Sequence, residues 1–169
     1  MRRFRIADNP AVPQYPPMLY RDVDTQFGTL CLTEQDGAIT ALGWRARGRN
    51  DPSLILDQAE AQLRAYDKGS TDAFTVPMRV DASDFQIDVC NAMRAIPFGD
   101  TRTYGDIAKL LNVTPQAVGQ ACGANPIPVL IPCHRVMGAG GKLVGFSGVG
   151  GVETKVALLR HERAGGFLI

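Results

Sequence analysis

The segment Thr103-Tyr104-Gly105-Asp106-Ile107-Ala108-Lys109-Leu110-Leu111-Asn112-Val113-Thr114-Pro115-Gln116-Ala117-Val118-Gly119 decides how the second half of this 169-residue chain folds. Thr103 and Asp106 have the spacing of a capping box, in which hydroxyl and carboxylate each accept a backbone N–H that the first helical turn leaves unpaired. They open a short helix whose apolar side is Ile107, Leu110 and Leu111. Thr114 and Pro115 open a second one as N-cap and first helical residue, because proline lacks an N–H that this position does not need. That helix runs through Ala117, Val118, Ala121 and Cys122 toward Asn125-Pro126. Two short helices joined by Asn112-Val113-Thr114 make a helix-turn-helix, a unit that either enters a DNA groove or serves only as a packing pair. The small face of Ala117, Ala121 and Ala124, with Gly119 and Gly123, permits close approach of either a groove or a neighbouring helix.

Downstream, Asn125-Pro126-Ile127-Pro128-Val129-Leu130-Ile131-Pro132 is too apolar for a free surface loop and too rich in proline for a central strand. It reads as a buried connector that delivers Cys133-His134-Arg135-Val136 to a fixed place. A thiol beside an imidazole and a cation can hold thiolate character near neutral pH, its free pKa of about 8.5 being lowered by such neighbours. A buried structural cysteine flanked by a chance histidine is the plainer reading of the pair alone. Adjacent residues on an extended strand face opposite ways, so a shared task for Cys133 and His134 requires a turn or helical start there. Gly138 to Leu143 reads as a turn and Gly145 to Gly151 as a close-approaching loop. Its glycines fit neither nucleotide-binding spacing, GxxxxGK[ST] or GxGxxG. A last helix, from about Val152 to Arg163, turns Val156, Leu158 and Leu159 inward.

Upstream, Ser83-Asp84-Phe85-Gln86 has the form of another capping box, and Phe85, Val89, Ala92, Met93 and Ile96 form one apolar stripe that stops at Pro97. Before it, Met18 to Val23, Gly28 to Thr33 and Ala38 to Trp44 are β-prone runs, the last two separated by an Asp36-Gly37 hairpin turn. Asp51-Pro52 reads as the start of a helix carrying Leu54, Ile55, Ala59, Leu63 and Tyr66, ended by Gly69. Ala73 to Val80 reads as a further edge strand. The expected fold is therefore α/β in content, of the α+β kind: an irregular arm over 1–17, a small antiparallel sheet plus helix over 18–82, and a mostly helical, winged-helix-like unit with the helix-turn-helix over 83–169.

A composition of 45% hydrophobic and 21% charged residues fits an ordinary soluble chain, with no apolar run near the roughly 20 residues of a membrane span. The four cysteines are widely spaced and share the chain with only two histidines, poor material for a disulfide framework or a zinc site. They read as reduced thiols of a cytoplasmic protein. Net charge is +1, so a nucleic-acid partner must be held by placed groups and helix N-termini more than by bulk charge.

Ile131-Pro132-Cys133-His134-Arg135-Val136, with Ala117-Val118-Gly119 and Asn125-Pro126 before it and Gly145-Phe146-Ser147-Gly148 and Leu158-Leu159-Arg160-His161-Glu162 after it, resembles the O6-alkylguanine-DNA alkyltransferase family. The match is close from Asp84 to Glu162, and the N-terminal half fits in outline as the family's smaller domain. The resemblance implies DNA repair by direct, single-turnover transfer of an alkyl group, methyl above all, from O6-alkylguanine (O4-alkylthymine being a second substrate) to Cys133. His134 would take the thiol proton and Glu162 would hold the imidazole. Tyr104 would protonate or hydrogen-bond the leaving guanine, and Asn125 would tie the DNA-reading helix to the active-site connector.

Gln116, Ala117, Gly119 and Ala121 would face DNA, and Pro128, Arg135, Val136, Phe146 and Ser147 would contact DNA or the base. Phe146 stands where the family commonly has tyrosine, and Gln116 where it has an arginine that fills the space left by the flipped base. The implied partner is double-stranded DNA carrying the lesion, read in the minor groove with base flipping by a monomeric protein, nucleoid-associated when bound, with no membrane partner, no cofactor and no metal. A relative that only binds alkylated DNA as a lesion sensor and a cysteine hydrolase are the alternatives. The first is opposed by the presence of Cys133, and the second needs an oxyanion site that the sequence does not reveal.

Overall fold

The computed structural model of the protein describes residues 16–146, 148 and 150–164. The expected N-terminal arm, apart from residues 16 and 17, and the expected base contact Ser147 lie outside them. Three strands, β1 (Leu19–Thr25), β2 (Gly28–Gln35) and β3 (Ala38–Gly43), form an antiparallel sheet in the order β1-β2-β3. Asp36 and Gly37 both take positive φ, 52° and 77°, which matches the right-handed twist of the two strands they join.

Helix α1 (Leu54–Asp67) packs on this sheet. Its N-cap is Ser53 and not the expected Asp51: the Ser53 hydroxyl accepts the N–H groups of Ile55 and Leu56, while the Asp51 carboxylate accepts the Tyr20 N–H at 2.9 Å. The buried face is Leu56, Ala59, Leu63 and Tyr66, and Leu54 points to solvent. Truncating Leu56 to alanine would cost about 2 to 5 kcal/mol, as for any well-packed core leucine. Arg21 on β1 ties helix to sheet through Asp57 at 3.0 Å and Glu60 at 2.6 Å. The strand expected over Ala73–Val80 reduces to a single bridge, Ile39 to Met78, because Pro77 offers a carbonyl to Ile39 but no N–H to continue a ladder.

Helix α2 (Asp84–Arg94) begins at its Ser83 cap, which accepts the Gln86 N–H. The Gln86 amide completes no capping box and donates instead to the Ala121 carbonyl at 2.8 Å. Next come β4 (Arg102–Thr103), α3 (Tyr104–Leu111), capped by the full Thr103/Asp106 box, and α4 (Pro115–Gly123), capped by Thr114. Asn112, in the left-handed region at φ 54°, makes the turn between α3 and α4. A one-turn 3₁₀ helix over Cys133–Arg135 leads into β5 (Val136–Met137), which pairs with β4 in parallel, and α5 (Val152–His161) closes the described chain. One hydrophobic cluster runs from Leu30 and Leu32 of the sheet through Val89, Met93 and Val118 to Ile131 and Cys133, so the connector is buried between the two halves.

Candidate active site

Backbone groups hold the connector in place. The Leu42 N–H of β3 donates to the Pro126 carbonyl at 3.0 Å. Asn125 spans the bend, its amide donating to the Ile131 carbonyl at 2.8 Å and its Oδ1 accepting the Ile127 N–H at 3.0 Å. Between these ties Val129 sits at φ 74°, a region that costs a β-branched residue on the order of 1–3 kcal/mol. Pro132, at φ −82° and ψ 68°, forms an inverse γ-turn in which the Cys133 N–H reaches the Ile131 carbonyl at 2.8 Å. The 3₁₀ turn follows at once. Cys133 and His134 therefore share a turn instead of pointing apart from an extended strand.

Cys133 is 5% exposed, His134 0% and Glu162 1%. Glu162, just beyond the end of α5, gathers four contacts. His134 Nε2 lies 2.6 Å from its Oε1, and Arg135 grips both oxygens with Nε at 2.8 Å and Nη2 at 3.0 Å. The Tyr66 hydroxyl donates to Oε1 at 2.8 Å. Burial alone would raise the Glu162 carboxyl, but the hydrogen bonds from His134 and Arg135 and the guanidinium charge bring it down to about 2, so it is ionised at neutral pH. An ionised carboxylate can only accept; His134 Nε2 therefore carries the proton and Nδ1 carries the lone pair. Among the described residues no group hydrogen-bonds that Nδ1. Burial holds the imidazole below its ordinary pKa and hence neutral.

The Cys133 thiol is pushed up by burial, against the pull of the Asn125 amide and the Lys155 ammonium. Lys155 is fully buried, and its Nζ donates to the carbonyls of Val136, Val144 at 3.1 Å and Gly145 at 3.3 Å. Cys133 opens into a cavity of about 70 Å³ lined by Tyr104, Gly119, Cys122, Gly123, Gly145 and Phe146. Tyr104 and Gly119 also line an outer groove of about 620 Å³ with Thr103, Gly105, Pro115, Gln116 and Gln120. Cavity and groove thus share a wall formed by Tyr104 and Gly119.

Of the residues singled out in the sequence, Cys133, Tyr104, Gly119 and Phe146 meet at the cavity, and Gln116 lies in the groove beside it. His134, Glu162 and Asn125 form the layer behind. Ala117 is half-buried on α4. Four others are buried and line neither the cavity nor the groove. Arg135 is buried and turned inward, its Nη1 donating to the Ile96 carbonyl at 2.7 Å while the rest of the guanidinium holds Glu162. Val136 is buried, with its N–H donated to Cys133 and its carbonyl taken by Lys155. Ala121 is buried on the side of α4 whose carbonyl Gln86 reaches, and Pro128 is buried in the connector.

Sequence reasoning missed Lys155 and Tyr66. Lys155 stands three, four and seven residues before Leu158, Leu159 and Glu162, a spacing that places it on the same inward face. Tyr66 lies on the apolar stripe of α1, where a buried phenol requires a partner. Among the described residues no group of three or more His, Cys, Asp or Glu side chains is arranged to hold a metal ion.

Residues 84–164 match the family described as the 6-O-methylguanine DNA methyltransferase DNA-binding domain. A methylated-DNA--protein-cysteine methyltransferase of Mycolicibacterium paratuberculosis is 38% identical over 158 residues, 85% of this chain and 92% of that one. The inducible enzyme of the same name from Bacillus subtilis is 37% identical over 147 residues, 82% of this chain and 81% of its own. Among solved structures, the O6-methylguanine methyltransferase of Mycobacterium tuberculosis superposes with a TM-score of 0.76 at 37% identity, covering 87% of this chain and 93% of that one. The same organism's protein in complex with DNA gives 0.76 at 38% identity, covering 88% and 96%.

Proposed function

The chain belongs to the methylated-DNA–protein-cysteine methyltransferase family, whose activity is repair of DNA by alkyl transfer to a protein cysteine, and we propose that Cys133 is the acceptor and His134 its base. The observation that carries this reading is the shared turn of Cys133 and His134, with Glu162 holding Nε2 so that Nδ1 is the basic nitrogen.

In the resting protein the thiol stays protonated. As the alkyl carbon engages Sγ, the proton passes to His134 Nδ1, directly or through one water, and the imidazolium formed is stabilised by the ionised Glu162. A bond forms between Sγ and the alkyl carbon, and the bond from that carbon to guanine O6 breaks. The guanine leaves with the electron pair of the broken bond, and the Tyr104 hydroxyl, at the mouth of the cavity, hydrogen-bonds it and gives it a proton that solvent returns to the phenol. Asn125 and Lys155 favour the sulfur anion as it develops. The product is a thioether with no good leaving group, so each molecule acts once.

DNA is the partner. In the finer reading the second helix of the helix-turn-helix, α4, lies in the minor groove, with Gln116 and Gly119 toward the duplex, and a monomer flips the damaged base into the cavity. The base ring rests at the mouth between Tyr104 and Phe146 while the O6 substituent enters the inner space. The C-terminal unit from residue 83 carries this chemistry, and the unit over 18–82 supports it. Among the described residues no helix is long and apolar enough to cross a membrane, and the place of action is wherever the DNA lies, the cytoplasm and its nucleoid.

The test is to incubate the protein with a duplex containing one O6-methylguanine and weigh it. A stoichiometric gain of one methyl on the Cys133 peptide is expected. Cys133→Ser, nearly isosteric but far less nucleophilic, should abolish the gain and keep DNA binding; methyl uptake by that variant would remove Cys133 from its role.

A further inference from the structure

We propose that Trp44 is a positioning residue for alkyl transfer: carried by the N-terminal sheet, it holds the Phe146 ring in place as a wall of the Cys133 cavity. The assignment rests on the reading of Phe146 as that wall. Trp44 follows the last residue of β3, and its indole N–H donates to the Phe27 carbonyl at 2.9 Å, which fixes the ring on the sheet. The Phe146 ring meets it edge-on, with centroids 5.8 Å apart and planes at 83°, the geometry in which the positive edge of one ring faces the negative face of the other.

Glycines make room on both sides of this contact. Gly28 has φ +102°, and a Cβ there would lie 3.4 Å from Trp44 Cδ1. A Cβ at Gly148 would overlap the Phe146 ring and come within 2.9 Å of Trp44 Cη2. The root of the loop is tied separately, by Lys155 to the carbonyls of Val144 and Gly145. Those ties fix backbone, and Trp44 is the aromatic partner of the ring beyond them. Both rings are only partly buried, so their contact adds little to global stability. What it fixes is the place of one side chain beside the nucleophile. A wall displaced by about 1 Å can cost a reaction on the order of a hundredfold, and a loosened one less.

The test compares Trp44→Ala, Trp44→Phe, Phe146→Ala and the double alanine variant in single-turnover reactions at saturation. The substrates are duplex O6-methylguanine and the free base O6-methylguanine, with thermal unfolding measured alongside. Trp44→Ala should lower the saturating rate on both substrates by about tenfold with little change in Tm. Trp44→Phe should restore most of it, and Trp44→Ala should add nothing once Phe146 is gone. A normal rate in Phe146→Ala overturns the wall reading, and this proposal with it. A slow Phe146→Ala beside a normal Trp44→Ala, or effects that add in the double variant, overturns the role of Trp44 alone. Should Trp44→Ala not fold, the single tryptophan of the wild-type chain serves as the reporter. Its emission should change when free O6-methylguanine binds, and should not change in Phe146→Ala; an unchanged wild-type spectrum overturns the proposal.

Discussion

The Tyr66 hydroxyl, on α1, donates at 2.8 Å to the same Glu162 oxygen that His134 Nε2 meets at 2.6 Å. A side chain of the N-terminal half thus completes the set of donors around the carboxylate behind Cys133. Burial and the Glu162 charge hold the phenol well above its ordinary pKa, so it remains a donor throughout the working range.

Removing the charge at this junction should be costly. Glu162→Gln leaves the buried Arg135 guanidinium without its anion, and the loss of stability should be about 3 to 5 kcal/mol. Tyr66→Phe removes one bond to a charged acceptor and should cost about 1.5 to 3 kcal/mol. Both should slow methyl transfer, Glu162→Gln by more, because imidazolium loses its counter-charge. Urea unfolding and single-turnover rates check the order. Equal stability of Glu162→Gln and wild type would show that the carboxylate holds nothing.

Acid should unfold the protein in two stages. His134 titrates near 6.5 when unfolded and lower when folded, so the unfolded chain takes up the extra proton. Stability from this group is complete above 6.5 and declines as pH falls below it. Glu162, brought from 4.5 to about 2, adds a second loss as pH falls through that interval. Urea midpoints between pH 8 and 4 should decline from about 6.5 downward, and His134→Asn should remove the first part of that decline. The same slope in both proteins contradicts the assignment.

Lys155→Met should leave three carbonyls, one on β5 and two on the loop, without their shared donor, a loss of about 1 to 3 kcal/mol. Because the Lys155 charge opposes the rise of the Cys133 pKa, its removal should move the pH–rate profile for methyl transfer toward alkaline pH. A profile that stays in place would mean that Lys155 anchors the loop and does not act on the sulfur.

Gln116→Arg should speed repair of duplex DNA and leave reaction with a free alkylated base unchanged. Gln116 follows the first residue of α4 and is exposed in the groove next to the cavity, where a planar guanidinium could stack in the space of a flipped base. A stacking contact of this sort is worth about 1 to 3 kcal/mol. Equal acceleration of both substrates, or none on the duplex, would show that residue 116 does not enter the DNA.

Local rules made much of this structure legible in advance. The caps at Ser83, Thr103 and Thr114, the turn at Asp36-Gly37 and the turn at Pro132-Cys133 depend on neighbours within a few residues, and each stands as the sequence implies. Long-range partners were not legible. Arg135 reads as a DNA contact until Glu162 is seen 27 residues away in its grip. Gln86 reads as half of a capping box until the Ala121 carbonyl, 35 residues on, claims its amide. Asp51 reads as a helix cap because nothing local reveals that Tyr20 has taken its oxygen. In each case two polar groups meet only after hydrophobic burial has brought distant segments together, and a single segment carries no trace of the meeting.

All four cysteines are buried, and burial pushes the Cys133 thiol up, which favours its protonated form. A protein that reacts once has a shelf life, set by how often stray electrophiles consume it before any lesion is met. Thiolate, not thiol, is what such molecules attack, and burial limits which of them can approach. With Cys133 as the proposed acceptor, the narrow cavity and the raised pKa would make it a poor general reagent and keep it unspent for the lesion.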